Sequence, residues 1–415
     1  MNGGVRPFTV WYSPAMRSPP ARPTWADALL CVGVTGTNGK TSTTGMVAAL
    51  LGLLARPVAR TTTLGCFLDD EQLDVPAHYA GFLRTMERCV AAGGRFAALE
   101  LTSEALAMGF AKSWPCKVAA FTNLSLDHSD AHGSAEHYLA SKAQLFMHLP
   151  PGGTAVLNAC DDNAELLLEV LPAEVDVLRY GVASRGAPWG ALDLAATAIT
   201  PSFDGTLATL TPSARFPDLP SRLVLEAIGE VFVENALAAL GCALAVGVPA
   251  ADAVLALATL PPPPGRFEIV RRRPYVVVDY AHTPDALGRT LATARALCRG
   301  TLTLVFGAGG DRDRAKRPLL GAAARAAERI VLTSDNPRSE APEAIMTEIA
   351  AGIGQHAGLV REVDRTQAIR RALTTAREDD LILIAGKGHE RTQEVHGVKL
   401  PFSDLALVRD WSSER

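Results

Sequence analysis

The sequence predicts an α/β fold with two units: a central domain on a mainly parallel sheet, then a C-terminal Rossmann-like α/β domain. Short apolar runs alternate with stretches of helical period along most of the 415 residues. One of these runs breaks into a glycine-rich loop that leads straight into a helix. A stiff segment from Pro261 to Gly265 separates two such series. The expected bounds are a loose, Gly-, Pro- and Arg-rich lead-in over 1–24, a central domain over 25–260 and a C-terminal domain over 265–415.

Cys31 to Val34 reads as a buried strand, and Thr41 to Leu54 as a helix with apolar residues at Met46, Val47, Leu50, Leu51 and Leu54. Between them stand Thr35, Gly36, Thr37, Asn38, Gly39 and Lys40. A strand, a glycine loop and a helix start together make a phosphate-binding loop, because free backbone N–H groups and the positive end of the helix dipole face an anion. Lys40 would then reach the outer phosphates and the Thr41 hydroxyl would bind Mg²⁺, with Ser42 beside it. The usual pattern has a glycine where Val34 stands, so the motif is a variant. This makes the central unit a P-loop-type ATPase domain. Ala97 to Leu101, Val118 to Asn123 and Thr154 to Asn158 read as further strands, and Glu136 to Leu149 as a helix. In the second series the strands are Tyr275 to Asp279, Leu302 to Phe306, Arg329 to Thr333 and Leu381 to Ala385. Each ends in Gly, Asp, Asn or His, where open parallel sheets hold their ligands.

The composition excludes several classes. A net charge of −4 and a pI near 6.2 give no footprint for nucleic acid. No apolar run nears the ~20 residues of a membrane span, and no signal-peptide segment is seen, so a cytoplasmic protein is expected. The seven cysteines form no C-x-x-C pair and read as buried thiols.

Glu100 interrupts the apolar run Ala97 to Leu101 at its C-terminal end, and Thr122, Asn123, Ser125, Asp127 and His128 follow the next strand. A glutamate and an Asp-His pair on one sheet edge suit Mg²⁺ held against phosphates. Lys142 shares an apolar stripe with Tyr138, Leu145 and Leu149, so its amine is expected to be buried. Burial favours the neutral form, which can add CO₂ to become a metal-binding carbamate.

The run Thr35 to Thr41, the run Phe121 to His128 followed by Lys142, and five later motifs stand in one order. These are Asp279 to Leu287, Phe306 to Asp313, Lys316 to Pro318, Asp335 to Arg338 and Gly386 to Glu390. Together they resemble the Mur ligase family, and within it the third-residue (MurE-type) ligases, from about 31 to 405. The resemblance implies an ADP-forming acid–amino-acid ligase of peptidoglycan synthesis. It would add meso-diaminopimelate to UDP-N-acetylmuramoyl-L-alanyl-D-glutamate through an acyl phosphate, using ATP and two Mg²⁺ sites. Gly36, Thr37, Asn38, Gly39, Lys40, Thr41, Ser42, Asn235, Arg266 and Asp279 would bind the nucleotide. Thr41, Glu100, His128 and carbamylated Lys142 would bind metal, with Lys40, Glu100, His128 and Lys142 as the catalytic set. Thr61 and Thr62 would meet the acceptor. Arg317, Asp335, Asn336, Arg338, Gly386 and Glu390 would meet the diamino acid, whose distal carboxylate suits the fork of Arg338. Partners would be small molecules only, and a monomer is expected.

Three features differ from that family. The 30 residues before the loop are too few for the uridine-binding domain. Glu104 stands for a histidine in Glu100 to Glu104, and Val231-Phe232 replaces a Phe-Asn pair. The competing readings are a folylpolyglutamate-synthetase-like ligase acting on a carboxylate without UDP, and a non-catalytic nucleotide-binding protein.

Overall fold

The computed structural model describes residues 21–125 and 135–413. Alternation along the buried strands assigns each residue to one of two faces. In β1 (Leu30–Thr35), Val32 and Val34 join one apolar cluster and Cys31 the other. In β5 (Phe96–Glu100), Ala98 takes the first face while Ala97 and Leu99 take the second. Strands buried on both faces read as continuous apolar runs and sit at the centre of a sheet. Accordingly β1 pairs in parallel with both β5 and β6 (Val118–Phe121).

The rest of this sheet grows outward from β1. On one side lie β2 (Val58–Thr62), β3 (Gly65–Leu68) and the short β4 (Glu71–Gln72). On the other lie β7 (Thr154–Asn158), β8 (Asp176–Val182), β9 (Leu194–Ser202), β10 (Gly205–Thr211) and β11 (Arg222–Leu225). The eleven-stranded order is β11-β10-β9-β8-β7-β6-β1-β5-β2-β3-β4. Its centre is parallel as expected, and both margins are antiparallel: β2–β3–β4 at one, β9–β10–β11 at the other. Those margins escape an apolar-run reading because they alternate, as in β10 with its pattern of buried and exposed residues.

The helix Lys40–Leu51 packs on the first face, where Val47, Leu50 and Leu51 share one apolar cluster with Val233 and Leu237 of the helix Glu230–Ala245. Each such aliphatic side chain contributes about 1.5–3 kcal/mol when fully buried. The first helix ends three residues before the expected Leu54, at a Gly52 cap, and leaves Leu53 and Leu54 exposed. The helix Ala135–Met147 likewise stops before Pro150.

The second sheet has the order β12-β13-β17-β14-β15-β16, built from Glu268–Arg272, Tyr275–Asp279, Leu381–Ala385, Leu302–Phe306, Arg329–Leu332 and Leu359–Arg361. It is parallel except for β12 against β13. The helices Pro284–Leu297, Lys316–Ala324 and Pro342–Ile353 cover one face, and Arg365–Thr375 with Asp404–Ser413 the other. Phe203 at the β9–β10 turn stacks on Tyr275 of β13 at 3.5 Å between ring centroids, joining the two sheets. A two-stranded ribbon, β18 (Thr392–Val395) with β19 (Val398–Pro401), completes the fold. Among the described residues no helix is long and apolar enough to cross a membrane.

The loop after β14 is held by the helices Lys316–Ala324 and Pro342–Ile353, which touch through glycines. A Cβ on Gly352 would lie 1.8 Å from the Pro318 carbonyl oxygen, and one on Gly321 would lie 2.0 Å from that of Ile349. Backbone cannot retreat as a flexible side chain can. Gly352→Ala is therefore expected to destabilise the protein by about 1–3 kcal/mol, read as a lowered midpoint in urea unfolding at unchanged slope.

Candidate active site

The C-terminal strand ends of both sheets open on one cleft of about 740 Å³. The first sheet contributes the loop after β1 and Glu100 at the end of β5, and the second contributes Asp279 at the end of β13 and Gly307, Asp335 and Gly386 after β14, β15 and β17.

The glycine loop is closely confined by its neighbours. Gly36 has φ +145° and a Cβ there would meet the Thr122 hydroxyl at 1.9 Å; Gly39 has φ +87° and its Cβ would meet Asn235 Oδ1 at 2.3 Å. The loop is tied down by Thr37 N–H to Asn123 O at 2.8 Å, Asn38 N–H to Asn123 Oδ1 at 3.0 Å, and the Thr122 hydroxyl to Asn38 O at 2.7 Å. The Asn38 amide group donates to Ser125 Oγ at 3.2 Å and to Thr283 Oγ1 at 3.3 Å. Thr283 caps the helix Pro284–Leu297 of the second sheet, so this one side chain spans the cleft.

Lys40 Nζ donates to Thr37 O at 2.8 Å. The Thr41 hydroxyl donates to Glu100 Oε2 at 2.9 Å, and the Thr63 N–H donates to the same oxygen at 3.0 Å. Glu100 is buried, as is Lys142. The Lys142 ammonium donates to Gly36 O at 2.8 Å and stands 4.0 Å from the Tyr138 ring centroid. The amine on the apolar stripe thus reaches the underside of the glycine loop. Next to Asn235, Glu234 is buried between Arg289 at 2.8 Å and Arg185 at 3.1 Å. Burial pushes its carboxyl up from the ordinary range, and the two arginines pull against that.

On the opposite wall Asp279 is occupied by backbone: Oδ2 accepts from Phe267 N–H at 2.7 Å and Oδ1 from Ala281 N–H at 2.7 Å. Arg266 lies 4.2 Å over the Tyr280 ring. Asn336 Nδ2 donates to Glu390 Oε2 at 2.9 Å, and Lys387 Nζ donates to both Asn336 Oδ1 at 3.0 Å and Glu390 Oε2 at 2.8 Å. That buried lysine fixes which way the Asn336 amide points. Arg338 has φ +52° and donates from Nη1 to Gly310 O at 2.6 Å.

The cleft brings together Thr37 to Ser42, Glu100, Lys142, Asn235, Arg266, Asp279, Asp335, Asn336, Arg338, Gly386 and Glu390. Gly36 supports this lining from below through its contact with Thr122 and its bond to Lys142. Thr61 and Thr62 do not line it, because they lie within β2; Thr63, one residue past the strand end, does. Arg317 also stands apart. Its guanidinium is fully buried and forks onto Glu340 at 2.7 Å and Glu348 at 2.9 Å. The hydrogen bond from Arg317 holds the Glu340 carboxyl down at about 2. The neighbouring Arg312 lines the cleft instead, and the Gly309-Gly310 pair before it was the available signal. A Cβ on Gly309 would meet Arg338 Nη1 at 2.8 Å and Arg312 Cγ at 3.7 Å, so both arginines gather over one glycine. Asp127, His128 and His132 lie outside the described residues.

Comparison with known proteins gives two family matches: the Mur ligase middle domain over residues 34–243, and the Mur ligase, glutamate ligase domain over 265–388. The UDP-N-acetylmuramoyl-L-alanyl-D-glutamate–2,6-diaminopimelate ligase of Thermosynechococcus vestitus is 42% identical over 400 residues, covering 93% of this chain and 77% of that protein. Its namesake from Aquifex aeolicus is 36% identical over 390 residues, covering 93% and 78%. A solved structure of a ligase of that name matches with TM-score 0.63 and 33% identity, over 93% of this chain and 79% of the other. Mycobacterium tuberculosis folylpolyglutamate synthase matches in fold, with TM-score 0.68 at 21% identity, over 88% and 89%.

Beside Tyr280, burial and then Arg266 push the His389 imidazole down to about 4 from its ordinary 6.5. Between those values the unfolded chain binds a proton that the folded protein does not, so stability falls as pH falls through that window. His389→Gln is expected to flatten that slope, read by urea unfolding at about pH 5 and about pH 7. An unchanged slope would mean that this imidazole is not held neutral.

Proposed function

Since the chain belongs to the Mur ligase family, we propose that it joins 2,6-diaminopimelate to UDP-N-acetylmuramoyl-L-alanyl-D-glutamate, forming ADP and phosphate. The observation that carries this reading is the shared cleft, where a phosphate-type loop from one sheet faces the Asp335–Arg338 and Gly386–Glu390 loops of the other.

On this reading the loop amides at the start of the helix Lys40–Leu51 cradle the ATP phosphates. Lys40 exchanges its bond to Thr37 O for an outer phosphate, and Asn235 meets the base end, with Arg266 closing from the second sheet. The Thr41 and Thr63 hydroxyls both stand within hydrogen-bond reach of Glu100 Oε2, a side-chain oxygen set that fits Mg²⁺. When bound, Mg²⁺ offsets the repulsion between the phosphates and an incoming carboxylate. His128 and a carbamate on Lys142 would hold the second ion; the carbamate forms from the neutral amine and CO₂ with release of a proton.

The acceptor carboxylate oxygen attacks the γ-phosphorus, and the bond to the β-phosphate oxygen breaks to release ADP. The amine nitrogen then attacks the acyl carbon, and phosphate leaves as the nitrogen loses its proton. Holding both partners in one cleft is worth on the order of 7–11 kcal/mol of the barrier. Arg312 and Arg338, gathered over Gly309, form a fork for the distal carboxylate, and Asn336 with Glu390 addresses the neighbouring ammonium. Asp335 and Gly386, which approach each other closely, complete this wall of the cleft.

The direct test is phosphate release with ATP, Mg²⁺ and diaminopimelate, with and without the UDP-linked dipeptide, and the mass of the product. Acceptor-dependent release with the tripeptide mass supports the reading; release with only a smaller carboxylate would assign a different amide bond. Arg338→Ala and Arg312→Ala are each expected to raise KM for diaminopimelate by about tenfold or more with little change for ATP, whereas equal rises would remove the fork. Lys142→Ala is expected to abolish turnover, with partial return on adding short carboxylates; a wild-type rate would take this amine out of the reaction.

A further inference from the structure

The loops that carry Asn336 and Glu390 follow β15 and β17, two strands that are not bonded to each other because β14 lies between them. Their spacing is nevertheless tight: a Cβ on Gly386 would lie 2.6 Å from Asp335 Oδ2. Something other than the sheet ladder must hold them. Arg365, the first residue of the helix Arg365–Thr375, reaches across the end of β14 to both. Its Nη1 donates to Ser334 O at 3.3 Å and its Nη2 to Ala385 O at 3.0 Å, the carbonyls immediately before Asp335 and Gly386. The other side of the guanidinium is taken by Asp404, with Nε to Oδ1 at 2.8 Å and Nη2 to Oδ2 at 2.7 Å. Both side chains are fully buried.

A buried ion pair is weak evidence for stability, since well-packed apolar residues often serve as well. What apolar residues cannot do is bind two carbonyls and a carboxylate in one rigid plane. We propose that Arg365, oriented by Asp404, is a positioning residue for the amine substrate, setting the distance between the Asp335-Asn336 and Gly386–Glu390 loops. The proposal rests on the ligase reading above and adds a residue that touches no substrate. A lysine keeps the charge, but its single nitrogen cannot reproduce the planar fork.

The test compares Arg365→Lys and Asp404→Asn with wild type, each first shown to unfold cooperatively. Both variants are expected to raise KM for diaminopimelate by about tenfold or more while KM for ATP stays within about twofold, because small misplacements of binding groups are felt strongly. Equal rises in the two constants, or no rise in either, would overturn the assignment. Amide hydrogen exchange on the ligand-free proteins supplies a second readout that needs no activity. Selective speeding at 335–338 and 386–390, with 37–43 unchanged, is expected; uniform or absent change would overturn the proposal. If wild type itself shows no diaminopimelate-dependent phosphate release, the ligase reading fails, and the exchange pattern alone decides the positioning role. If Arg365→Lys does not fold, Asp404→Asn carries the same comparison.

Discussion

Between Gly36 and Gly39 the chain has no room for a side chain at either glycine, since a methyl group at one presses into the Thr122 hydroxyl and at the other into the Asn235 amide. That steric limit holds the loop against Thr122 and Asn235. Everything that acts on the loop is brought to it: Glu100 from a neighbouring strand, Lys142 from a helix below, Asn235 from a helix alongside and Thr283 from the second sheet. The fold places these groups at one point because strand C-termini of two parallel sheets face each other. The 740 Å³ cleft is the consequence.

Among the described residues, the basic side chains in and behind the cleft differ in what they bind. Arg317 and Arg365 are each forked onto carboxylates, and that pairing makes them framework. Lys40, half-buried, and Lys142, buried, each donate to a backbone carbonyl of the loop. A hydrogen bond from a charged group is worth about 1.5–3 kcal/mol net, so it yields only to a stronger partner such as a phosphate or a metal-bridging group. Lys387 belongs between the two kinds, since its partners Asn336 and Glu390 are themselves cleft residues. The distinction explains how one cleft is both rigid in its frame and free to engage a ligand.

Much of this was legible in the sequence because it is local. The apolar runs located the central strands, the glycine loop announced itself by its position between strand and helix, and Lys142 showed its burial by standing on an apolar stripe. The failures are equally instructive. Arg317 and Arg312 sit five residues apart in one basic stretch, and only the partners Glu340 and Glu348, far along the chain, decide that the first is buried and the second faces the cleft. Thr62 and Thr63 differ by a single step across the end of β2, a boundary that pattern does not resolve. The antiparallel margins were missed since alternating strands carry a weaker signal than continuous apolar ones. Arg365 and Asp404 stand 39 residues apart, and nothing local marks them as a pair.

In this cleft a carboxylate would meet first the γ-phosphate and then an amine. That order of encounters is tested most directly by labelling both oxygens of the acceptor's glutamate side-chain carboxylate with heavy oxygen and analysing the products of a single turnover. Attack on phosphorus followed by aminolysis places one labelled atom in the released phosphate and leaves the other in the new amide carbonyl. Released phosphate free of label would contradict the account, because the carboxylate would then never have been joined to phosphorus.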